Sequence, residues 1–200
     1  MKLKICGMKN PENIIEVAQL QPDFMGFIFW EPSPRFFSGH LSELPKSVKK
    51  IGVFVDAGFT EIIDKVKQYQ LDLVQLHGNE TPDFCKKIQN ENMTIIKALS
   101  VGIDFDFKIL NAYESVVDYF LFDTKGAAPG GNGQSFNWEI LNNYASQKPL
   151  FLSGGIGIES IENIKKLNIP IFAIDVNSKF ETAPGQKNIP LLQQFKNQLP

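Results

Sequence analysis

Residues 149–176, PLFLSGGIGIESIENIKKLNIPIFAIDV, contain the pattern that decides the fold. The apolar run Pro149–Ser153 is followed by a segment, Ile158–Leu167, whose apolar residues recur every third position, and then by a second apolar run, Ile171–Val176. Runs that are apolar on both faces are typical of buried parallel strands, and a three-to-four spacing is typical of a helix. The stretch therefore predicts a strand–helix–strand unit.

The same unit recurs along the whole chain. Eight runs rich in Phe, Ile and Val begin about 24 residues apart on average, which is the length of one strand, one loop and one helix. The runs are Leu3–Cys6, Phe24–Trp30, Ile51–Asp56, Leu71–His77, Thr94–Leu99, Tyr119–Asp123, Pro149–Ser153 and Ile171–Val176. Helical segments are predicted at Asn13–Leu20, Thr60–Tyr69, Pro82–Gln89, Trp138–Tyr144, Ile158–Leu167 and Pro190–Leu199. A helix is also expected between Arg35 and Lys50, and Thr60 and Thr81 are the expected N-caps of their helices.

Eight such units either close into a (βα)8 barrel or open into a doubly wound sheet. An open sheet of the dinucleotide-binding kind has a G-x-G-x-x-G turn after its first strand, whereas this chain has Cys6-Gly7-Met8-Lys9 there. The length of 200 residues is at the lower limit for a barrel. No stretch resembles a linker. The sequence therefore predicts an α/β fold, a (βα)8 TIM barrel, with residues 1–200 as a single domain.

Composition excludes several classes of protein. The chain has 20 basic and 22 acidic residues, a formal charge of −2, and so lacks the basic excess typical of nucleic-acid-binding proteins. No apolar run approaches the roughly 20 residues of a membrane-spanning helix. The two cysteines, Cys6 and Cys85, are expected to be free thiols in a reducing cytoplasm.

Uncommon polar residues follow the predicted strands, where barrel active sites lie. Ser153-Gly154-Gly155 follows the seventh run and Asn177-Ser178 follows the eighth. Barrels often bind phosphate between these two loops, because backbone N–H groups at glycines can approach an anion closely. The alternative is a plain glycine turn. A further glycine cluster, Gly130–Gly133, either covers the mouth of the barrel or is a solvated loop.

Cys6 is in phase with Lys2 and Lys4, so the two-residue period of a strand directs all three into the barrel. A thiol beside cations has a lowered pKa and can act as a base or nucleophile, whereas most free cysteines are small buried hydrophobes. Both interpretations stay open for Cys6, and the second is assigned to Cys85 within its helix. Lys4 is expected to pair with Asp175 in the barrel floor.

Three further side chains are candidates for chemistry. Asp123 ends the apolar strand Tyr119–Phe122, and partial desolvation there favours a carboxyl group that holds its proton near neutral pH. Arg35 offers a planar donor fork that suits a carboxylate. His77 is either a ligand or base, or a hydrogen-bonded structural residue. Because no second histidine or carboxylate stands at metal-ligand spacing beside it, no metal is predicted.

Motifs from the first strand to the seventh stand in the order found in one enzyme family. They are Lys4-Ile5-Cys6-Gly7-Met8, Gly26-Phe27-Ile28-Phe29 with Ser33-Pro34-Arg35, Gly52-Val53-Phe54-Val55, Val74-Gln75-Leu76-His77-Gly78, Phe122-Asp123 with residues 130–138, and Leu152-Ser153-Gly154-Gly155-Ile156. On these motifs the chain resembles phosphoribosylanthranilate isomerase, and the likeness extends over nearly its whole length.

The resemblance implies a (βα)8 barrel that catalyses an Amadori rearrangement in tryptophan biosynthesis without a cofactor. It implies that Asp123 is the general acid, which protonates the furanose ring oxygen, and that Cys6 is the general base, acting as a thiolate on the C2 proton. It assigns substrate binding to Arg35, Gly154, Gly155, Asn177 and Ser178. The implied partner is a small phosphosugar–anthranilate substrate.

The chain departs from the family pattern after the eighth strand, where Lys179 replaces the usual glycine. Lys179 either adds a charge contact or points to solvent. Three rival functions remain: the related Amadori isomerase of histidine biosynthesis, an acyl-transfer enzyme using Cys6 and His77, and a non-catalytic phosphosugar-binding barrel. The sequence leaves open whether the protein is a monomer or a homodimer.

Overall fold

The apolar runs form eight parallel strands that pair in chain order and close into a barrel, because β1 pairs with both β2 and β8. The computed structural model describes residues 1–41, 43–124 and 138–199. The strands are β1 Lys2–Ile5, β2 Phe24–Ile28, β3 Lys49–Phe54, β4 Leu73–Leu76, β5 Thr94–Val101, β6 Tyr119–Thr124, β7 Leu150–Ser153 and β8 Ile171–Val176. The predicted barrel is confirmed, and the open sheet is excluded by the closure.

Helices cover the outside of the barrel. The α-helices are α1 Pro11–Gln19, α2 Phe59–Tyr69, α3 Pro82–Gln89, α4 Ile161–Lys166 and α5 Ile189–Gln198. Short 3-10 helices are formed by Phe107–Ala112, Trp138–Asn143, Ile158–Ser160 and Ser178–Phe180, and a small hairpin by β9 Glu181–Ala183 and β10 Gln186–Lys187. Within the described ranges, no helix has the length and apolar character needed to cross a membrane.

Two local predictions about helices are wrong. In the described part of 36–48 there is no helix, because Phe36 forms a parallel bridge with Ile28 and the Phe37 amide donates to the Ile28 carbonyl at 2.8 Å. The Phe37 ring is buried against Phe27, which holds this backbone in an extended conformation. Thr60 is not a cap either, because α2 already begins at Phe59.

The Thr81 cap is confirmed. Its side-chain oxygen accepts a hydrogen bond from the Phe84 amide at 3.2 Å, at the start of α3. Such a bond satisfies one of the four amide groups that a helix leaves unpaired at its N-terminus.

Alternate residues of each strand point into the barrel and divide it into an apolar floor and a polar mouth. Near the starts of the strands, the rings of Phe24, Phe151 and Phe172 pack in contact. The Phe151 centroid lies 5.3 Å from that of Phe24 and 5.6 Å from that of Phe172. The Lys2 ammonium lies 5.0 Å from the centre of the Phe172 ring. Lys4 follows one layer higher and is fully buried. The aromatic floor thus confines polar chemistry to the carboxyl ends of the strands.

Candidate active site

A cavity of about 220 Å3 opens at the carboxyl ends of the strands. Six of the seven residues predicted to form the site line it: Cys6, Asp123, Gly154, Gly155, Asn177 and Ser178. Gln75, His77, Asp175 and Lys179 also line it. Cys6 comes from the end of β1 and Asp123 from the end of β6, so the two face one shared space from opposite sides of the barrel.

Cys6 is held against β2, and a glycine makes room for it. A Cβ atom built on Gly26 would lie 2.7 Å from the Cys6 Sγ atom, closer than real contacts allow. The Cys6 side chain is buried, and burial raises the pKa of the thiol, while the charges of Lys4 and Lys187 act in the opposite direction. The expectation of a lowered pKa is therefore wrong, because desolvation outweighs the nearby cations.

We expect Gly26→Ala to reduce kcat at least about tenfold. The added methyl group displaces the Cys6 sulfur, and a displacement on the order of 1 Å can cost a hundredfold in rate. Steady-state kinetics measures the effect. Gly102→Ala is the matched control, since nothing lies within 4 Å of a Cβ atom there, and its kcat should be unchanged. Full activity of Gly26→Ala would mean that the sulfur position is not critical.

The predicted ion pair between Lys4 and Asp175 is confirmed, one layer above the aromatic floor. Lys4 Nζ lies 2.8 Å from Asp175 Oδ2, and both side chains are buried. Burial raises the pKa of Asp175, and Lys4 acts against that shift. The other carboxyl oxygen, Oδ1, is buried and has no hydrogen-bond partner among the described residues. An unpaired buried acceptor beside a cavity is poised to receive a donor from a bound molecule.

Asp123 lies beside His77 at the rim of the cavity. Asp123 Oδ2 is 3.5 Å from His77 Nε2, and both side chains are about one-third exposed. His77 Nδ1 lies 2.8 Å from the Gln75 side-chain nitrogen. His77 is thus a hydrogen-bonded residue that also touches the candidate acid. Within the described ranges, no three His, Cys, Asp or Glu side chains come together as a metal site.

The glycine loop after β7 has the backbone conformation that glycine favours. Gly154 and Gly155 have φ values of 100° and 60°, in the left-handed region, and Gly155 is open on the side where a Cβ would lie. The helix expected from Ile158 begins as a 3-10 turn, and its α-helical part is the short α4. The loop can therefore offer backbone amides to an anion, with little added by a helix dipole.

Lys179, the departure from the family pattern, bridges two loops of the rim. Its ammonium lies 3.6 Å from Glu159 Oε1, and both side chains are mostly exposed. Exposed pairs of this kind contribute little to stability. Lys179 therefore forms a charge contact and stays accessible to a ligand at the mouth.

Arg35 lies next to the cavity but does not line it, because its donor fork holds a carboxylate of its own chain. Its Nε and Nη2 atoms donate to Glu181 at 2.6 to 3.0 Å, and Lys187 donates to Glu181 Oε1 at 2.7 Å. Burial alone raises the pKa of Glu181, but the hydrogen bonds from Arg35 and Lys187 outweigh it and lower the pKa. Lys187 also donates to Asn177 Oδ1 at 2.7 Å.

Sequence reasoning missed Glu181 and Gln75 as parts of the site. Glu181 lies 146 residues beyond Arg35, so no local pattern indicates that the two side chains meet. Gln75 is in phase with His77 on β4, and the strand period alone directs both into the barrel. Cys85 is fully buried in α3, with a pKa raised to about 11 by burial, as expected of a structural thiol. The glycine cluster Gly130–Gly133, for which a cover over the mouth and a solvated loop were both considered, lies outside the described residues.

The fold and the cavity define a class: a (βα)8-barrel enzyme whose mouth combines a carboxyl group, a thiol and a glycine loop suited to phosphate. The profile described as N-(5'phosphoribosyl)anthranilate (PRA) isomerase matches residues 3–198. The chain therefore belongs to the N-(5'-phosphoribosyl)anthranilate isomerase family, and the resemblance inferred from the motifs is confirmed.

Individual relatives agree with this assignment. An N-(5'-phosphoribosyl)anthranilate isomerase from Parabacteroides distasonis is 44% identical over 206 residues, covering 100% of this chain and 93% of that protein. The crystal structure of the enzyme from Thermotoga maritima superposes with a TM-score of 0.86 at 33% identity, covering 99% and 98% of the two chains. A second structure, of a phosphoribosyl anthranilate isomerase in complex with reduced 1-(o-carboxyphenylamino)-1-deoxyribulose 5-phosphate, has a TM-score of 0.82 at 31% identity, covering 98% and 96%.

Proposed function

We propose that this chain is a cofactor-independent N-(5'-phosphoribosyl)anthranilate isomerase of tryptophan biosynthesis. Asp123 donates a proton to the furanose ring oxygen as the C1–O bond breaks and the iminium forms. Cys6, as thiolate, then removes the proton from C2 to give the enolamine, which tautomerises to the 1-deoxyribulose 5-phosphate product. One proton leaves Asp123 and one arrives on Cys6, so no redox partner is needed.

The observation that carries this proposal is that the acid and the base candidates line one cavity from the ends of two separate strands, β6 and β1. A cavity of about 220 Å3 suits a pentose phosphate with its aromatic substituent extending toward the mouth. The Gly154-Gly155 loop, with Asn177 and Ser178 from the next loop, supports phosphate binding at one end. The unpaired Asp175 Oδ1 atom can accept a hydrogen bond from a ribose hydroxyl group.

The proposal also covers the domain organisation of the protein, its location in the cell and its partner. Residues 1–200 form one catalytic domain, the protein works in the cytoplasm, and its partner is the small-molecule substrate. The family membership and the continuous barrel from β1 to β8 support these points.

Turnover of phosphoribosylanthranilate without added metal, followed as loss of substrate fluorescence, is the direct test. Turnover that survives chelator treatment is expected. Binding of phosphorylated ligand without turnover would favour the non-catalytic barrel. Turnover of the histidine-pathway aminoaldose alone would assign the protein to the related isomerase.

Arg35→Ala should raise KM roughly ten- to a hundredfold and affect kcat less. Arg35 binds the anthranilate carboxylate in this proposal, and a charge-assisted hydrogen bond contributes about 1.5–3 kcal/mol. Glu181 holds Nε and Nη2, which leaves Nη1 as the donor for substrate. The control is Lys166→Ala, an exposed cation at the end of α4, for which KM should stay unchanged. An unchanged KM in Arg35→Ala would remove Arg35 from the binding site.

A further inference from the structure

A chain of hydrogen-bonding side chains runs along the cavity from Lys4 to Asp123. Lys4 Nζ lies 2.7 Å from Gln75 Oε1, and Gln75 Nε2 lies 2.8 Å from His77 Nδ1. His77 Nε2 then lies 3.5 Å from Asp123 Oδ2. Contacts of catalytic groups are often long in an unliganded enzyme and shorten when the substrate binds. The series links the barrel floor to the candidate acid.

Chemistry dictates the direction of each contact in this series. An ammonium group can only donate, so Lys4 requires the carbonyl oxygen of Gln75 to face it. The Gln75 amide nitrogen, a donor, must then face His77 Nδ1, which accepts only if it carries no proton. In the neutral imidazole the proton therefore resides on Nε2, the atom that faces Asp123.

Lys4 stays positively charged and can therefore act only as a donor. Burial alone lowers the pKa of Lys4, but the adjacent Asp175 and Cys6 outweigh it, and the pKa is raised. Lys4 and Gln75 are almost completely buried, so water does not compete for their contacts. The orientation of the Gln75 amide is thus fixed by a buried contact that solvent does not reach.

The backbone around His77 is held independently of its ring. The His77 amide donates to the Phe54 carbonyl at 2.8 Å. On the other side, the buried Lys97 ammonium donates to the Gly78 carbonyl and to Glu80 Oε2, both at 2.7 Å. With the backbone fixed at both ends, the contact with Gln75 decides the tautomer and orientation of the ring.

We propose that Lys4 and Gln75 are positioning residues that hold His77 as an Nε2–H donor to Asp123 Oδ2. This inference rests on the proposed role of Asp123 as the general acid. The carbonyl oxygen of a carboxylic acid is a better acceptor than its hydroxyl oxygen, so a hydrogen bond from His77 to Oδ2 favours the acid's own proton on Oδ1. After transfer to the ring oxygen, the same N–H bond stabilises the carboxylate that remains. Lys4 thereby influences Asp123 through Gln75 and His77, without touching it.

Nitrogen NMR of the ligand-free, 15N-labelled protein tests the tautomer without reference to activity. The chain has two histidines, and His40→Gln identifies the signals of His77, since His40 is exposed and does not line the cavity. In the neutral ring we expect the proton on Nε2 and an unprotonated Nδ1. In Gln75→Glu, the new carboxylate accepts from His77, so the proton should move to Nδ1. A neutral His77 protonated on Nδ1 in the wild-type protein would overturn the proposal.

A double-mutant cycle tests the consequence for catalysis. Gln75→Glu, an isosteric change, should lower kcat about ten- to a hundredfold with a smaller change in KM. In a His77→Ala background no ring is left to turn, and the same substitution should change kcat less than about threefold. Equal losses in both backgrounds would attribute the effect to the charge beside Lys4 and Cys6, and would refute the proposal.

Two further comparisons keep the outcomes distinct. Gln75→Met removes the contact without adding charge and should lower kcat by less than Gln75→Glu, because both tautomers become available. A wild-type protein that shows the expected tautomer but no turnover would refute the proposed function alone. If a variant at position 75 fails to fold, the tautomer measured in the protein with the native Gln75 still decides the proposal.

Discussion

Asp123→Asn should lower kcat at least about a hundredfold, because the amide is nearly isosteric with the carboxyl group but cannot deliver a proton. Without that proton the ring oxygen must leave as an alkoxide, and general acid catalysis contributes on the order of 10²–10⁴ in rate. Steady-state kinetics with phosphoribosylanthranilate measures the loss. Asp104→Asn, an exposed aspartate after β5, is the matched control and should keep its kcat.

Binding distinguishes a lost acid from a damaged site. The reduced 1-(o-carboxyphenylamino)-1-deoxyribulose 5-phosphate found in the solved relative is a suitable probe, because a reduced product has lost the keto group through which the reaction would run backwards. Asp123→Asn should bind it within about threefold of the wild-type protein, since the acid acts on the transition state more than on the ground state. A variant with near-normal kcat would show that another group supplies the proton.

Cys6→Ala should also lower kcat at least about a hundredfold, because no other side chain from β1 can take the C2 proton at that place. The matched control is Cys85→Ala. Cys85 is buried in α3 and lies away from the cavity, so kcat should stay unchanged there even if the folded state is less stable. Turnover of Cys6→Ala near the wild-type level would show that the base is misassigned.

The pH profile gives the Cys6 assignment a second, independent check. Burial raises the pKa of Cys6, so the thiolate is the minor form at neutral pH in the free enzyme. Raising the pH increases the thiolate fraction, so the rate at which a small alkylating reagent modifies Cys6 in the Cys85→Ala protein should rise on the alkaline side. Lys4 and Lys187 favour the thiolate and Asp175 disfavours it, and all three face Cys6. A modification rate that is already constant from neutral pH upward would contradict a raised pKa of Cys6.

Local patterns predicted the strands well, because burial on both faces leaves a continuous apolar run that sequence displays directly. Their limits were less accurate: β4 starts at Leu73, two residues later than expected, and β3 starts at Lys49, two residues earlier. The helix expected before Lys50 failed for a different reason. Phe36 and Phe37 are tied to Ile28 on β2, and such a pairing between segments overrides local helical spacing.

The two-residue strand period was sufficient to direct Cys6 and Lys4 into the barrel, and residue order to place Cys6 and Asp123 at one mouth, because side-chain direction along a strand is a local property. Residue order and strand period did not determine the pKa values or the charged partners of these side chains. The raised pKa of Cys6 and the occupied fork of Arg35 arise from groups that chain closure brings together, such as Glu181 beside Arg35. Desolvation and Coulomb energy depend on distance through space rather than along the chain, so only the closed barrel decides them.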